Sequence, residues 1–396
     1  MMLKFVNKNW LLILFFPIVF FGQKQKMQVG DTTYYKTLIP EEKQGLLKNV
    51  SIIANMNFAF RNEFYDGEYD ESRFRMDQFR LEIRGQVSKN VYFRFRDRYT
   101  RAQTSESVDN LSRSVDLAYL RFDVTDKFSI SAGKMCADWG AWEFDYNPID
   151  IYEYSDIIEY ADNFLSGVGF SYTANEKHQY TFQILNSRTK SFEELYGDQP
   201  NFTESKMPLA LVGNWRGNLF DGKLKTIWSY SLFTEAENTF MNYIALGTEL
   251  TLDKFVIAYD FKYSDEQLDR TGIVSETVPE DLYPYALQNT AYMGHWVHLH
   301  YRLNEKINLS LFGMLDIAKW NDNGLDPLKT DSHIRNAWGI IPTVEYYPWK
   351  DLNLRFFVNY VGRMYDYSNY AKERFGAQDY NTGRFSIGFV TPLGVL

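Results

Sequence analysis

From about Val50 to the C-terminus, apolar and polar residues alternate in segments of roughly ten to fourteen positions. A period of two puts successive side chains on opposite faces of a strand. In Phe255 to Ser264, one face carries Phe255, Ile257, Tyr259, Phe261 and Tyr263; the other carries Ala258, Asp260, Lys262 and Ser264. In Ile307 to Asp316, Ile307, Leu309, Leu311 and Leu315 oppose Asn308, Ser310 and Asp316, although Phe312 and Met314 blur the polar face. In Leu352 to Arg363, Leu352, Leu354, Phe356, Val358 and Tyr360 oppose Asn353, Arg355, Asn359 and Arg363. A phase flip falls near Asp77–Gln78, where apolar positions pass from even (Phe74, Met76) to odd (Phe79, Leu81, Ile83). Pro342 interrupts the segment Asn336 to Tyr347 and predicts a bulge, because proline has no N–H for a ladder.

The connections also alternate, one long and polar, the next a tiny turn. Short turns are expected at Ser88-Lys89-Asn90, Asp126-Lys127, Asn175-Glu176-Lys177, Asp221-Gly222, Asp253-Lys254, Asn304-Glu305-Lys306 and Trp349-Lys350-Asp351. Long connections are expected at Asp66–Glu71, Gln103–Ser112, Ala141–Phe164, Arg188–Met207, Glu235–Thr239, Glu266–Leu287, Asn321–His333 and Tyr367–Thr382. The count is about sixteen strands. With residues 1–22 set aside, about 23 residues fall to each strand and its connection; fourteen or eighteen strands also fit, since such boundaries slip by a few residues. The predicted class is all-β, a transmembrane antiparallel up-and-down β-barrel over residues 48–396. A soluble sheet with one wet face would alternate too. Strand number, aromatic content and an export signal decide for the membrane. A barrel of this size is too wide for side chains to fill, which points to a channel.

The export signal is the N-terminus. Lys4 and Lys8 precede an apolar run from Trp10 to Phe21, and Gly22-Gln23 offers a cleavage point. The run is short of the ~20 residues of a spanning helix. Residues 1–22 therefore read as a signal peptide and 23–47 as a polar periplasmic lead-in. The remaining composition agrees: 29 Tyr, 31 Phe and 9 Trp sit in a chain whose mean hydropathy is only −0.39, as alternation requires. The net charge is −9, and removing the signal peptide deletes two lysines and no acid. That charge argues against a nucleic-acid partner, and none is expected. Cys136 is the single cysteine, which excludes an intramolecular disulfide and a multi-cysteine zinc site.

Two constellations carry candidate chemistry. On strands two to four, Arg80 and Arg84 flank Glu82, and Arg94, Arg96 and Arg98 alternate with Phe93 and Phe95. Arg121 and Asp123 follow. Arginine facing mid-bilayer lipid would cost about 2–4 kcal/mol, so these side chains face the lumen. They form either a basic wall that guides anions or a generic polar lining of Arg–Glu pairs. The second constellation is Ala141–Phe164, with Glu143, Asp145, Asp150, Glu153, Asp156, Glu159 and Asp162 and no lysine or arginine. As the third external loop it is expected to fold inward, set the size limit and face the arginines across a transverse field. Its aromatics, including Trp142, Phe144, Tyr146, Tyr152, Tyr154 and Tyr160, favour burial over a solvated surface loop. His298 and His300 share a strand face beside Trp296; the spacing permits a shared metal without an evident third ligand, and lumen lining is the simpler reading. No phosphate-cradling glycine motif, nucleophile elbow or HExxH is present. Neither a catalytic residue nor a metal or cofactor is expected.

The stretch GKMCADWGAWEFDYNPIDIYEYSDIIEYADNFLSGVGFSY, Gly133 to Tyr172, resembles Bacteroidota outer-membrane porins, a group similar to the phosphate-selective porin O and P family. The signal ending FFGQ is similar to exported proteins of that phylum. The resemblance implies a sixteen-stranded channel, often a homotrimer, with the third loop folded inward. It departs from the phosphate-selective members, whose constrictions are rich in Arg and Lys, because the loop here is acidic and lacks Lys. The chain also ends Gly394-Val395-Leu396, with Phe389 as its last aromatic. The expected function is passive diffusion of small polar or anionic solutes through the outer membrane of a Gram-negative bacterium. Outer-membrane lipid surrounds the barrel in that reading. The alternative is a plugged barrel serving as an assembly partner in an outer-membrane complex.

Overall fold

The computed structural model describes residues 49–321, 326 and 331–396. The expected signal peptide and lead-in lie outside these residues, as does part of the connection expected at Asn321–His333. The strands are β1 (Val50–Tyr65), β2 (Glu68–Ser88), β3 (Val91–Arg98), β4 (Val115–Asp123), β5 (Phe128–Cys136), β6 (Phe164–Asn175), β7 (His178–Asn186) and β8 (Leu209–Leu219). They continue as β9 (Leu224–Ala236), β10 (Thr239–Leu252), β11 (Phe255–Leu268), β12 (Gln288–Arg302), β13 (Ile307–Trp320), β14 (His333–Tyr346), β15 (Arg355–Tyr367) and β16 (Tyr380–Gly394). Each pairs antiparallel with its sequence neighbours, and β1 pairs with β16 from Ile53↔Gly394 to Tyr65↔Thr382. The sheet is a closed barrel of sixteen strands.

Alternation sorts the side chains as the sequence requires. Tyr172, Tyr180, Phe182, Tyr230, Tyr259, Ile340, Val344 and Phe356 are exposed on the outer face. Such an apolar band is untenable in water and suits hydrocarbon. The opposite faces of the same strands hold buried polar groups, among them Gln183, Asp260, Thr343, Glu345 and Arg355. Phe312 and Met314, the residues that blurred the polar face of β13, also point inward and are buried. The expected phase flip is a β-bulge: Asn57 pairs with Gln78 and Phe58 with Met76, which leaves Asp77 as the extra residue.

Three expectations about connections are corrected. Asp66–Glu71 is not an open loop. Asp66-Gly67 forms a two-residue turn, both at positive φ (48° and 79°), and Tyr65 pairs with Glu68. Asp-Gly is a favoured pair for such a turn. Glu235–Thr239 shrinks likewise to a two-residue connection, 237–238, between β9 and β10. Pro342 does not cause a bulge. The β14–β15 register is the same before it (Ile340↔Gly362) and after it (Thr343↔Asn359), and Pro342 pairs in register with Leu311 of β13. Proline on the outward, lipid-facing side deletes ladder contacts without shifting the strand.

The wall is uneven. β3, β4, β5 and β7 have 8 or 9 residues, whereas β1 has 16 and β2 has 21. β2 pairs with β3 only over Arg80–Ser88, so its first half stands above its neighbour. At the long-loop rim, 137–163 is the longest connection, and its residues meet strands on several sides of the barrel.

Candidate functional site

Residues 137–163 include α1 (Trp142–Asp145), a 3₁₀ turn (Pro148–Asp150) and α2 (Asp156–Tyr160). Short helices leave N–H groups without partners, and here the wall supplies one. Ala141 offers no capping side chain. Asp260 of β11 accepts the N–H groups of Trp142 and Glu143 instead, at 3.0 and 2.8 Å. The approach to β10 depends on Gly247, where a Cβ would lie 2.7 Å from the Ala141 Cβ and 3.1 Å from the Trp142 ring. Trp142, Tyr146 and Ile151 pack with Ile227, Ala258, Trp296, Phe312, Met314, Ile341 and Val361 of the inner wall. On the β1 side, Asn147 receives a place beside Asn55, and Asn57 donates to the Ile149 carbonyl.

Six of the seven acids singled out in this segment pair with bases of other elements. Glu143 is fully buried against Lys262 of β11 and accepts the N–H and hydroxyl of Ser155, both at 2.6 Å. Asp145 shares Arg216 of β8 with Asp138, each at 2.7 Å. Asp150 pairs with Arg355 of β15, and Glu153 with Arg384 of β16 at 2.9 Å. Asp156 takes both Arg335 of β14 and Arg363 of β15. Asp162 meets Arg270, in the 269–287 connection, at 3.1 Å. Glu159 differs: its side chain is exposed. Only part of it meets solvent: protein packed around the rest, and then the like charge of Glu153, raises its carboxyl above the usual range.

The structure brings five of the six candidate arginines together around two carboxylates. Arg80, Arg96 and Arg98 converge on Asp116 of β4, at 3.4, 3.2 and 2.8 Å. Arg84, Arg94 and Arg96 lie 3.4, 3.0 and 3.9 Å from Glu82. Arg80 and Arg96 are buried in this network. The side chains of Arg84, Arg94 and Arg98 keep 19%, 23% and 20% of their surface open to solvent, which separates lining arginines from structural ones. Arg121 stands apart, paired with Asp123 at 2.9 Å and stacked over Tyr92. The acids of 137–163 therefore do not form one face set against these arginines. Six of them turn to bases on β8, β11, β14, β15, β16 and the 269–287 connection.

This architecture has known counterparts. Residues 51–389 match the family described as phosphate-selective porin O and P. The chain belongs to that family. No curated protein sequence matches it. Among solved structures, the porin fold recurs in the outer-membrane channel DcaP of Acinetobacter baumannii, at TM-score 0.56 and 12% identity over 86% of this chain and 96% of that one. OmpF of Salmonella typhi, solved with daunomycin, gives TM-score 0.56 and 13% identity over 86% and 98%. An anion-selective porin from Comamonas acidovorans gives 0.52 and 9% over 86% and 98%.

Several residues of this porin's interior escaped the sequence reading. Lys262, Arg355 and Arg363 lie on the polar faces that alternation predicts for β11 and β15, and an inward base on a buried face is the available signal. Arg216, Arg335 and Arg384 gave none, because their partners lie 71 or more positions away in the chain. Lys134 is likewise buried, held by Glu106 and Asp109 of the 99–114 connection at 2.5 and 3.2 Å.

Two predictions follow from this docking. Lys262→Met strands the Glu143 charge, a loss of about 3–5 kcal/mol for a broken buried pair. Protease cleavage within 137–163 should accelerate, and adding Glu143→Leu should restore most of the resistance; unchanged cleavage of the single variant would refute the anchoring role. Gly247→Val should also speed cleavage there, because its methyl groups collide with Ala141 and Trp142, while the far-UV signature of the barrel stays intact.

Proposed function

We propose that this porin lets small polar or anionic solutes diffuse down their gradients across the outer membrane of a Gram-negative bacterium, through a lumen narrowed by residues 137–163. The observation that carries this reading is a division of the interior. The ion pairs of 137–163 reach β8, β11 and β14 to β16, while partly solvated arginines lie on β2 and β3. A passage between the segment and β2–β3 would meet Arg98 and then Arg94 with its cross-strand partner Arg84, about 13 Å further along the strand. Successive cationic positions favour entry of an anion yet allow it to leave.

Charge balance favours a basic rather than a transverse field at the narrowest point. An acid paired with an arginine acts as a short dipole whose field fades quickly. The five arginines around Glu82 and Asp116 retain net positive charge, and Glu159 on the segment offsets only part of it.

Single-channel recording in planar bilayers tests the proposal. A folded barrel with no open current would favour the plugged-barrel reading. In a salt gradient, the triple variant Arg84→Ser, Arg94→Ser, Arg98→Ser should move the reversal potential toward cation preference. The shift should shrink at 1 M salt, where the Debye length falls to about 3 Å; an unaltered potential at low salt would remove these arginines from the path. Acidification supplies a further check. Because the Glu159 carboxyl sits above the usual range, it takes up its proton at a higher pH than an ordinary glutamate, so anion preference should rise as acidification neutralises it. Glu159→Gln should show the higher preference at neutral pH and a flatter pH response.

A further inference from the structure

The inner face of β12 carries Trp296, His298 and His300; the two histidines pair with Ala258 and Val256 on β11 and with Phe312 and Ser310 on β13. His300 lies two residues before the end of β12 at Arg302, so the pair sits toward the short-turn rim. Both rings are fixed. The Nδ1 of His298 is 3.3 Å from the Tyr146 hydroxyl, and the Nδ1 of His300 is 3.0 Å from the Ser310 hydroxyl. Phe312 stacks on the His298 ring at 4.0 Å and 5°. The Nε2 atoms of both histidines are buried without a hydrogen-bond partner. Buried polar atoms are paired as a rule, and two orphans of one kind on adjacent rings point to a shared ligand.

We infer that His298 and His300 form a bidentate site for a divalent transition-metal ion on the inner wall. With each Nδ1–H donating to its hydroxyl oxygen, each Nε2 presents a lone pair; this is the second-contact arrangement that fixes the tautomer of metal-binding histidines. The spacing agrees. At metal–nitrogen distances of about 2.0–2.1 Å, two imidazoles on one ion have ring centroids between about 4.5 and 6.4 Å apart, and the observed separation is 5.9 Å. Glu345 supplies the acidic charge that acts on His300, against Arg302 and Arg355, but its carboxylate is engaged by Arg355 at 2.7 Å. Water completes the coordination. Two imidazoles without carboxylate ligands select copper, nickel or zinc over magnesium or calcium, and Cu²⁺ binds most tightly. The site depends only on the inward direction of β12, not on what crosses the lumen.

The test is titration of the tag-free, detergent-folded protein with CuCl₂ by calorimetry, with electron paramagnetic resonance of the product. One equivalent is expected, with hyperfine coupling from two imidazole nitrogens. His298→Gln and His300→Gln should each weaken that equivalent at least tenfold, and the double variant should lose it. His295→Gln, whose ring contacts Tyr259 on the outer face, and His333→Gln should retain it. Absence of the two-nitrogen signal in the unaltered protein overturns the proposal whatever the variants do. An equivalent that survives in the folded double variant overturns it as well.

Discussion

Every backbone N–H and C=O placed in hydrocarbon must find its partner inside the protein, and the β1–β16 ladder is where this chain meets that demand. Thirteen residue pairs join the first strand to the last, so the paired band has no edge along its circumference. The tolerance of Pro342 follows from the same rule. One missing donor on a strand paired on both sides leaves a local gap, and the surrounding ladder keeps the register. Only above the level of β3 does an edge reappear, along the first half of β2. Glu68, Asp70, Glu71, Arg73 and Arg75 stand there, and such charges are what discourages strand addition at an open edge.

Closure creates a second problem, which is the volume inside. A sixteen-stranded cylinder cannot be filled by its own side chains. The described interior is occupied on one side by a segment that behaves like a small core packed on a concave sheet. Trp296, Phe312, Met314, Ile341 and Val361 supply the apolar floor, and Trp142, Tyr146 and Ile151 cover it. Charged contacts ring this core. The buried Glu143–Lys262 pair is sustained by Ser155, whose hydroxyl lies within reach of both ionic groups. That supplementary hydrogen bonding is the condition under which a desolvated ion pair survives. The two fully buried neighbours Asp260 and Glu143 are kept compatible by N–H donors and by Lys262 between them.

The strand content was legible in the sequence because a period of two is local: neighbours decide each face, and the flip at Asp77 could be read as directly as the strands themselves. The tight turns at Asp66-Gly67 and 237–238 were missed because loop length was inferred from polarity, and the hairpins here are polar well before they turn. Glu68, Asp70 and Glu71 are strand residues standing above the apolar belt. The inward direction of the arginines followed from Phe79, Phe93 and Phe95. The partners of the acids did not, since pairing across a lumen joins residues far apart in the chain and leaves no trace in spacing. One local signal of the docked segment does exist. Apolar Phe312 and Met314 on a nominally wet face require something to cover them.

A hydrogen-bonded ribbon rolled into a tube resists stretching along its ladders but flexes easily across its bore. Residues 137–163 touch β1 through Asn147, β8 through Asp145, β11 through Glu143 and β15 through Asp150, and these strands stand at different compass points of the wall. The segment is thus a tie rod as well as a sleeve. Lateral pressure from the bilayer that would flatten the tube has to strain ion pairs at several bearings together. The roundness of the cylinder and the seating of the segment become one mechanical property, governed by the same contacts.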